Sequence, residues 1–313
     1  MSGVWLVLRR EVQDQVTSWR FFILLVLVFL SGFLAIYVSA QNIRGAVLAN
    51  AQFVFIRLFT TSGEVVPPFV TFLSLFLPLV GIALAFDAIN SERGNGVLVR
   101  VLSQPIYRDA VINGKFLAGV LTIALLVVSM VLLVSGLGLR LIGVPPTLEE
   151  IARLLAFVLL SVVYGAFWLG LSLLFSLLFS RTATSALASL ALWLFLVFFM
   201  FLVAQGLAGV ISPLGENPTV EQVLAQEEAQ SFILRLSPAT LYDEAMVVLL
   251  DPDTRTTLPV AGLVQRQGMV PNPLSLGQSL LLVWPQLTGL LVLTLVCFAI
   301  SYVRFLREEL RST

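Results

Sequence analysis

The chain has 313 residues, of which 58% are hydrophobic and 12% are charged, and its formal net charge is zero. A soluble domain has about 25% charged residues, so this composition excludes an ordinary soluble protein. The chain has no histidine, which excludes a Ser-His-Asp triad, a histidine-ligated zinc site and a haem with a histidine ligand.

Residues 1–20 are predicted to form an amphipathic helix. Its apolar positions recur every three or four residues and therefore share one face: Trp5, Leu8, Val12, Val16 and Trp19. Such a helix suits the membrane surface, with its indole rings among the headgroups, and we interpret it as interfacial. The alternative is an ordinary amphipathic helix that packs on protein.

Six uncharged stretches, each of 22 residues or more, predict six membrane-spanning helices. A helix needs about 20 apolar residues to cross about 30 Å of hydrocarbon. We place the spans at residues 21–40, 65–86, 116–139, 154–180, 186–211 and 274–302. The fold class is therefore an all-α membrane protein with six transmembrane helices, and residues 1–313 form a single transmembrane domain.

The basic residues predict which side of the membrane the termini occupy. Six spans put both termini on one side. If that side is the cytoplasm, eleven basic residues lie inside and seven outside, as the positive-inside rule requires. The cluster within residues 93–115 and the set Arg304, Arg307 and Arg311 provide this excess.

Residues 212–273 are predicted to form an extracytoplasmic lid with two short helices. Thr219 and Gln222 have the spacing of a capping box at the start of the first. Ser237 precedes Pro238, which suits the first position of the second. Prolines interrupt the segment, so we do not expect a catalytic domain there.

Small residues recur on one face of the fourth span: Ser161, Gly165, Ser172, Ser176 and Ser180. Small residues let transmembrane helices approach closely, so we expect this face to pack against other helices. The alternative is a polar stripe that lines a substrate path.

The sequence contains no energy source or catalytic centre of its own. Gly114-Lys115 looks like the end of a phosphate-binding loop, but Asp109 replaces its first glycine and Phe116 its hydroxyl residue. The spans lack the ionisable residues of a proton-coupled carrier. Cys297 is the only cysteine, and we interpret it as a small buried hydrophobe. We therefore expect no cofactor, no metal and no enzymatic activity, and transport driven by another subunit.

The loop of residues 87–115 is the best candidate for contact with that subunit. Glu92-Arg93 ends the membrane helix, and Gly94 and Gly96 permit a sharp turn. A short apolar segment follows, and Pro105 starts the helix that leads into the third span. This pattern suits a docking element on the cytoplasmic face. The alternative is a solvated connecting loop.

The same loop resembles a known family. The run Glu92-Arg93-x-x-Gly96-x-Leu98, followed by Leu102, Pro105, Arg108 and Gly114-Lys115, resembles the segment after the second span of ABC-type exporter permeases. These are the six-span subunits of the O-antigen-exporter-like class. Asp87 and Gly114-Lys115-Phe116 look most like the permeases associated with nitrous oxide reductase maturation. Val97 and Arg100 depart from the family pattern, which has Thr and an aliphatic residue there.

The resemblance implies roles for individual residues. Residues 92–115 would contain the coupling helix that docks on a separate ATPase subunit, and Glu92 and Arg93 would fix its turn or pair with the ATPase. Pro105 and Arg108 would begin the following helix, which Lys115 would anchor at the headgroups. Arg181 would form a second, smaller contact. The expected coupling residues are Glu92, Arg93, Gly94, Gly96, Pro105, Arg108, Lys115 and Arg181.

These observations together favour the permease subunit of an ATP-driven ABC exporter in a bacterial or archaeal cytoplasmic membrane. Its partners would be the ATPase, a second permease copy or paralogue, and membrane lipids, with no nucleic acid. ATP would make the two permease halves rock and move a substrate that the sequence does not identify. Two alternatives stay open: a membrane scaffold or assembly factor without transport of its own, and a protein that conducts ions or lipids without ATP.

Overall fold

The computed structural model of the protein describes residues 3–48, 53–61, 66–97, 107–213, 219–254 and 273–307. Within these ranges the regular structure is helical and no strand occurs. A π-helical turn, Phe195–Phe199, joins the helix Thr182–Leu194 to the helix Met200–Ile211. The helices are α1 (Gly3–Val16), α2 (Trp19–Leu48), α3 (Val54–Thr60), α4 (Phe69–Ala85), α5 (Asn90–Gly94), α6 (Arg108–Ile142), α7 (Leu148–Leu178), α8 (Thr182–Leu194), α9 (Met200–Ile211), α10 (Val220–Leu234), α11 (Pro238–Leu250) and α12 (Leu276–Arg307).

Six helical segments are long and apolar enough to cross a membrane, which confirms the predicted fold class. Some extend beyond the predicted spans, because polar residues continue the helix outside the hydrocarbon. For example, α6 begins at Arg108, several residues before the uncharged stretch. The six segments are Trp19–Ile43, Phe69–Gly94, Arg108–Ile142, Leu148–Leu178, Thr182–Ile211 and Leu276–Arg307. We call the membrane face that holds residue 3 and residue 307 the near side, and the opposite face the far side.

The second and fourth spans meet backbone to backbone at the centre of the bundle. A Cβ added to Gly81 of α4 would lie 2.8 Å from the carbonyl oxygen of Gly165 and 2.9 Å from the amide nitrogen of Leu169, both in α7. Nearby, the Ser172 hydroxyl donates to the carbonyl of Ile82 at 3.2 Å. Small residues permit this close approach, as the sequence predicts.

The small-residue face of the fourth span packs as expected over most of its length. Ser161, Ser172 and Ser176 are fully buried, and Gly165 is buried against α4 and α6. Ser180 lies beyond the end of α7 and is exposed. The packing interpretation is therefore confirmed for the buried members. The hydroxyls of the three buried serines bond to neighbouring helices.

The described part of the predicted lid contains two helices, of which the second enters the bundle. The capping box of Thr219 and Gln222 starts α10, as predicted. The Ser237 hydroxyl does not cap α11 and instead donates to the carbonyl of Leu196 in the π-helical turn, at 2.9 Å. Leu196 is 15 residues from Arg181, about 22 Å along the fifth span, so α11 begins at membrane depth.

The position of α11 differs from the expectation of a segment that only covers the bundle. Of its 13 residues, nine are buried, and it contacts α7 and α12. An apolar helix of 13 residues is too short to span the membrane, but this length is typical of buried or re-entrant segments. This second helix, α11, therefore forms part of the far half of the transmembrane bundle.

Two buried charges hold the far side together. Arg153 is fully buried and donates to the carbonyl of Leu249 at 3.0 Å and to the hydroxyl of Ser279 at 3.1 Å, so it joins α7 to α11 and α12. The buried carboxylate of Glu150 accepts the amides of Phe55 and Ile56 at 3.0 and 3.3 Å and so caps α3. Arg153 also pairs with the carboxylate of Glu149 at 3.0 Å, so each buried charge has polar partners.

The contact between α4 and α7 can be tested with glycine substitutions. We expect Gly81→Ala to destabilise the protein by about 1–3 kcal/mol, because the new methyl group would push two backbones apart. Gly136→Ala is the matched control, since no heavy atom lies within 4 Å of the added Cβ. Thermal unfolding in detergent should show a lower midpoint for the first variant only, and equal midpoints would contradict the backbone contact.

Candidate coupling interface

The loop after the second span is fixed to the bundle where it begins. At the end of α4, Asp87 pairs with Arg20, whose guanidinium lies 5.1 Å from the centre of the Phe86 ring. The Ser176 hydroxyl of α7 accepts the amides of Ile89 and Asn90 at 3.0 and 3.2 Å. Because these amides begin the short helix α5, the first and fourth spans together hold the start of the loop.

A buried ion cluster connects the loop to the third span and to the N-terminal helix. The Lys115 ammonium donates to Glu11 Oε1 at 2.7 Å and to Glu92 Oε1 at 2.9 Å. The exposed fraction of the side chain is 5% for Lys115, 17% for Glu11 and 20% for Glu92. The cluster joins α6, α1 and α5, and removal of one partner from such a pair costs about 3–5 kcal/mol.

The N-terminal helix packs along the start of α6. A Cβ added to Gly114 would lie 2.6 Å from Val7 Cγ1, so only glycine allows α1 to pass this closely. Two turns further along α6, the Thr122 hydroxyl donates to Gln15 Oε1 at 2.8 Å. The contacts follow the same order in both helices, so α1 and α6 run in the same direction.

This packing bears on the two interpretations of residues 1–20. One face of α1 lies on protein, as the alternative interpretation has it. Trp5, Val16 and Trp19 are exposed, with 51%, 44% and 79% of their surface accessible. Contact of these side chains with the membrane surface remains a prediction.

The turn that follows α5 is the exposed part of the loop. Gly96 has a φ of 68°, in the left-handed region that glycine favours, as the predicted sharp turn requires. No heavy atom lies within 4 Å of a Cβ added to Gly94 or Gly96, and Asn95 between them is exposed. Arg93 is half-buried. This turn is therefore open to a partner.

The remaining predicted coupling residues lie further along the chain. Arg108 is exposed as the first residue of α6, and Arg181 is exposed at the residue before α8. Pro105 lies outside the described residues. Of the eight predicted residues, Glu92 and Lys115 contact each other, since the Lys115 ammonium donates to Glu92.

One expected role is wrong and one member of the cluster was missed. Lys115 does not reach the headgroups, because two carboxylates hold its ammonium in the protein interior. Glu11 was not among the candidates. The sequence contains a weak signal for it, since Glu11 follows Leu8 by three residues and so lies at the edge of the apolar face. Such a charge needs a partner when that side packs on protein.

The cluster consists of one ammonium held by two carboxylates from different helices. No group of three or more metal-ligating side chains occurs in the part of the chain that the structure describes. The arrangement can transmit a displacement of the loop to three helices at once.

Comparisons with known proteins identify the family of the chain. The sequence profile of the ABC-2 family transporter proteins matches residues 5–310. The NosY protein of Pseudomonas aeruginosa, a probable ABC transporter permease, is 28% identical over 201 residues, which is 63% of this chain and 68% of that protein. This similarity is consistent with the subgroup that Asp87 and Gly114-Lys115-Phe116 resemble.

The cluster predicts that Lys115 stabilises the attachment of α1. Lys115→Gln would leave the carboxylates of Glu11 and Glu92 close together without a cation, so we expect a loss of about 3 kcal/mol in the free energy of unfolding. Amide hydrogen exchange in α1 should also accelerate. Thermal unfolding and exchange in detergent measure the two effects.

Arg10→Gln provides the control for this prediction. It removes an ion pair with Asp14 whose side chains are 63% and 65% exposed, and exposed pairs contribute less than about 1 kcal/mol. If the two variants unfolded at the same temperature and exchanged alike, Lys115 would not hold α1 in place.

Proposed function

The chain belongs to the ABC-2 family of transporter proteins and is a permease subunit of an ABC transporter, and we propose that residues 87–115 couple it to a separate ATPase. An ABC permease implies an ATPase partner, because the permease has no nucleotide-binding loop of its own. The observation that supports this site best is the buried Lys115 cluster.

The geometry explains how a push on one small turn could move several helices. The exposed turn of residues 94–96 directly follows α5, whose first amides bond to Ser176 in the fourth span. Glu92, two residues before the turn, bonds to Lys115 in the third span. A force on the turn therefore reaches the second, third and fourth spans and α1 through short polar contacts instead of being absorbed by a flexible loop.

We assign different roles to the predicted coupling residues. Glu92 and Lys115 position the loop from inside the protein. Arg93 and Arg108 would face acidic groups of the ATPase, and Arg181 would form a second contact at the connection between the fourth and fifth spans. Gly94 and Gly96 would shape the turn, and Pro105 would begin the helix that leads to α6.

The complete transporter would contain two permease halves and two ATPase subunits. The fifth, sixth and first spans bury only 17%, 22% and 28% of their most apolar stretches within the chain, against 67% for the fourth span. Their apolar faces are available to a second copy or a paralogue, and lipid would cover the rest. The near side would be the cytoplasm of a bacterium or archaeon, in agreement with the positive-inside rule.

In this account ATP drives the permease by rocking its halves. Binding of ATP would bring the ATPase subunits together and push the two coupling turns. The permease halves would then rock against each other and open a path for substrate from the cytoplasm or the inner leaflet, so that the transporter works as an exporter.

The coupling role predicts an uncoupled variant. Arg93→Glu should lower the ATPase rate that the permease stimulates by about tenfold or more, because reversal of one charge at an interface can cost several kcal/mol. Membrane insertion should be unchanged, since Arg93 lies outside the apolar part of the spans. ATPase activity of the co-purified complex in lipid nanodiscs measures the effect.

Arg140→Glu is the matched control, because Arg140 is exposed in the last turn at the other end of α6. It should leave the stimulated rate unchanged. Normal stimulation by the Arg93→Glu complex would remove the coupling assignment. Glu92→Lys would test less cleanly, since it places a second ammonium beside Lys115.

The proposed stoichiometry gives a further prediction. Native mass spectrometry of the complex from mild-detergent membranes should show two permease chains, identical or paralogous, with two ATPase chains. A single permease chain in a complex that hydrolyses ATP normally would contradict the two-half arrangement. Recovery with an enzyme other than an ATPase would favour the scaffold or assembly factor.

A further inference from the structure

A carboxylate of the helix α11 lies at membrane depth. Asp243 of α11 accepts a hydrogen bond from the Ser74 hydroxyl of α4 at 2.7 Å. Ser74 is 13 residues from Asp87, about 20 Å along the second span, and Asp87 pairs with Arg20 at the near side. The hydrocarbon is about 30 Å thick, so Asp243 lies within it, toward the far side.

The side of α11 that carries this carboxylate is open. Asp243 and Val247 are its only exposed residues, and they lie one turn apart on the same face. Beside them on α4, Thr71 is exposed and Ser74 is half-buried. An ionised carboxylate is unfavourable against lipid, and intramembrane charges almost always face a bundle interior or a water-filled cavity. We therefore expect this face to contact water.

The neighbouring carboxylate shows what Asp243 lacks. Glu244 accepts from Arg235 Nε at 3.0 Å and from Gln286 Nε2 at 2.8 Å, so its charge is balanced. No lysine or arginine among the described residues forms an ion pair with Asp243. The group of Arg235, Asp243 and Glu244 thus has one positive and two negative charges. In addition, Gln286 Oε1 is buried without a hydrogen-bond donor in the described structure.

We propose that this open face of α11 and α4 lines the substrate path in the far half of the membrane, and that Asp243 selects a positively charged group of the substrate there. Asp243 has no cationic partner among the described residues and its oxygens accept hydrogen bonds, so it favours a cation that also donates hydrogen bonds, such as an ammonium. This inference rests on the proposed transport function.

The test uses cysteine accessibility, because Cys297 is the only cysteine and Cys297→Ser gives a cysteine-free background. Val247→Cys places a thiol one turn from Asp243 and leaves the bond to Ser74 intact. Membranes that contain the chain without any ATPase are treated with a cationic and an anionic methanethiosulfonate of similar size. Val292→Cys, at a valine of the sixth span that is 57% exposed, is the control for a lipid-facing position.

We expect Val247→Cys to react with both reagents, and about tenfold faster with the cationic one, because a nearby carboxylate attracts cations and repels anions. Asp243→Asn, which preserves the shape of the side chain, should abolish the preference. Val292→Cys should react with neither reagent. Thr71→Cys probes the same opening from α4 and should show the same reactivity and charge preference. It replaces Val247→Cys if Val247→Cys does not fold.

Two results would overturn the proposal. If Val247→Cys and Thr71→Cys were as unreactive as Val292→Cys, the face would be covered by lipid or protein. If the cationic preference were absent, or persisted in Asp243→Asn, Asp243 would not select charge. Neither result depends on ATP hydrolysis, so failure of this inference and failure of the coupling assignment can be told apart.

Discussion

The cost of placing a charge in hydrocarbon governs both the fold and the proposed mechanism. It explains why charges separate the six apolar stretches of the sequence. It also explains where buried charges are tolerated in the folded chain. Lys115 is held by two carboxylates, and Arg153 by the carboxylate of Glu149 together with carbonyl and hydroxyl oxygens. Each therefore joins helices that are far apart in sequence, one charge at each side of the bundle.

These polar connections make the permease suited to transmit force. On the near side, the Lys115 cluster and Ser176 tie α5 to α1 and to the third and fourth spans. Through the centre, the contact at Gly81 keeps the second and fourth spans together. On the far side, Arg153 links the fourth span to the re-entrant helix α11. A displacement at the coupling turn thus has a continuous packed route to the far half, where we place the cation-selective opening.

The sequence predicts the local features of this structure better than the contacts between distant segments. The six spans and the capping box at Thr219 were predicted correctly, because each depends on residues close together in the chain. Glu11 and Lys115 are 104 residues apart, so their pairing, and with it the wrong headgroup role of Lys115, could not be derived from spacing. The course of α11 was missed for another reason. The helix itself was predicted from Ser237-Pro238, but a hydropathy argument that asks only for helices of spanning length does not place a short apolar helix, or Asp243 within it, in the membrane.

The central claim is that an ATPase docks on the exposed turn of residues 94–96. A photo-crosslinking amino acid at Asn95, which is exposed between the two glycines, tests it most directly in membranes of the native host. Leu148, which is 84% exposed at the far side, is the control position. We predict that the probe at position 95 crosslinks to a P-loop ATPase and that the probe at position 148 does not. Absence of an ATPase crosslink at position 95, or equal crosslinking from both positions, would contradict the account.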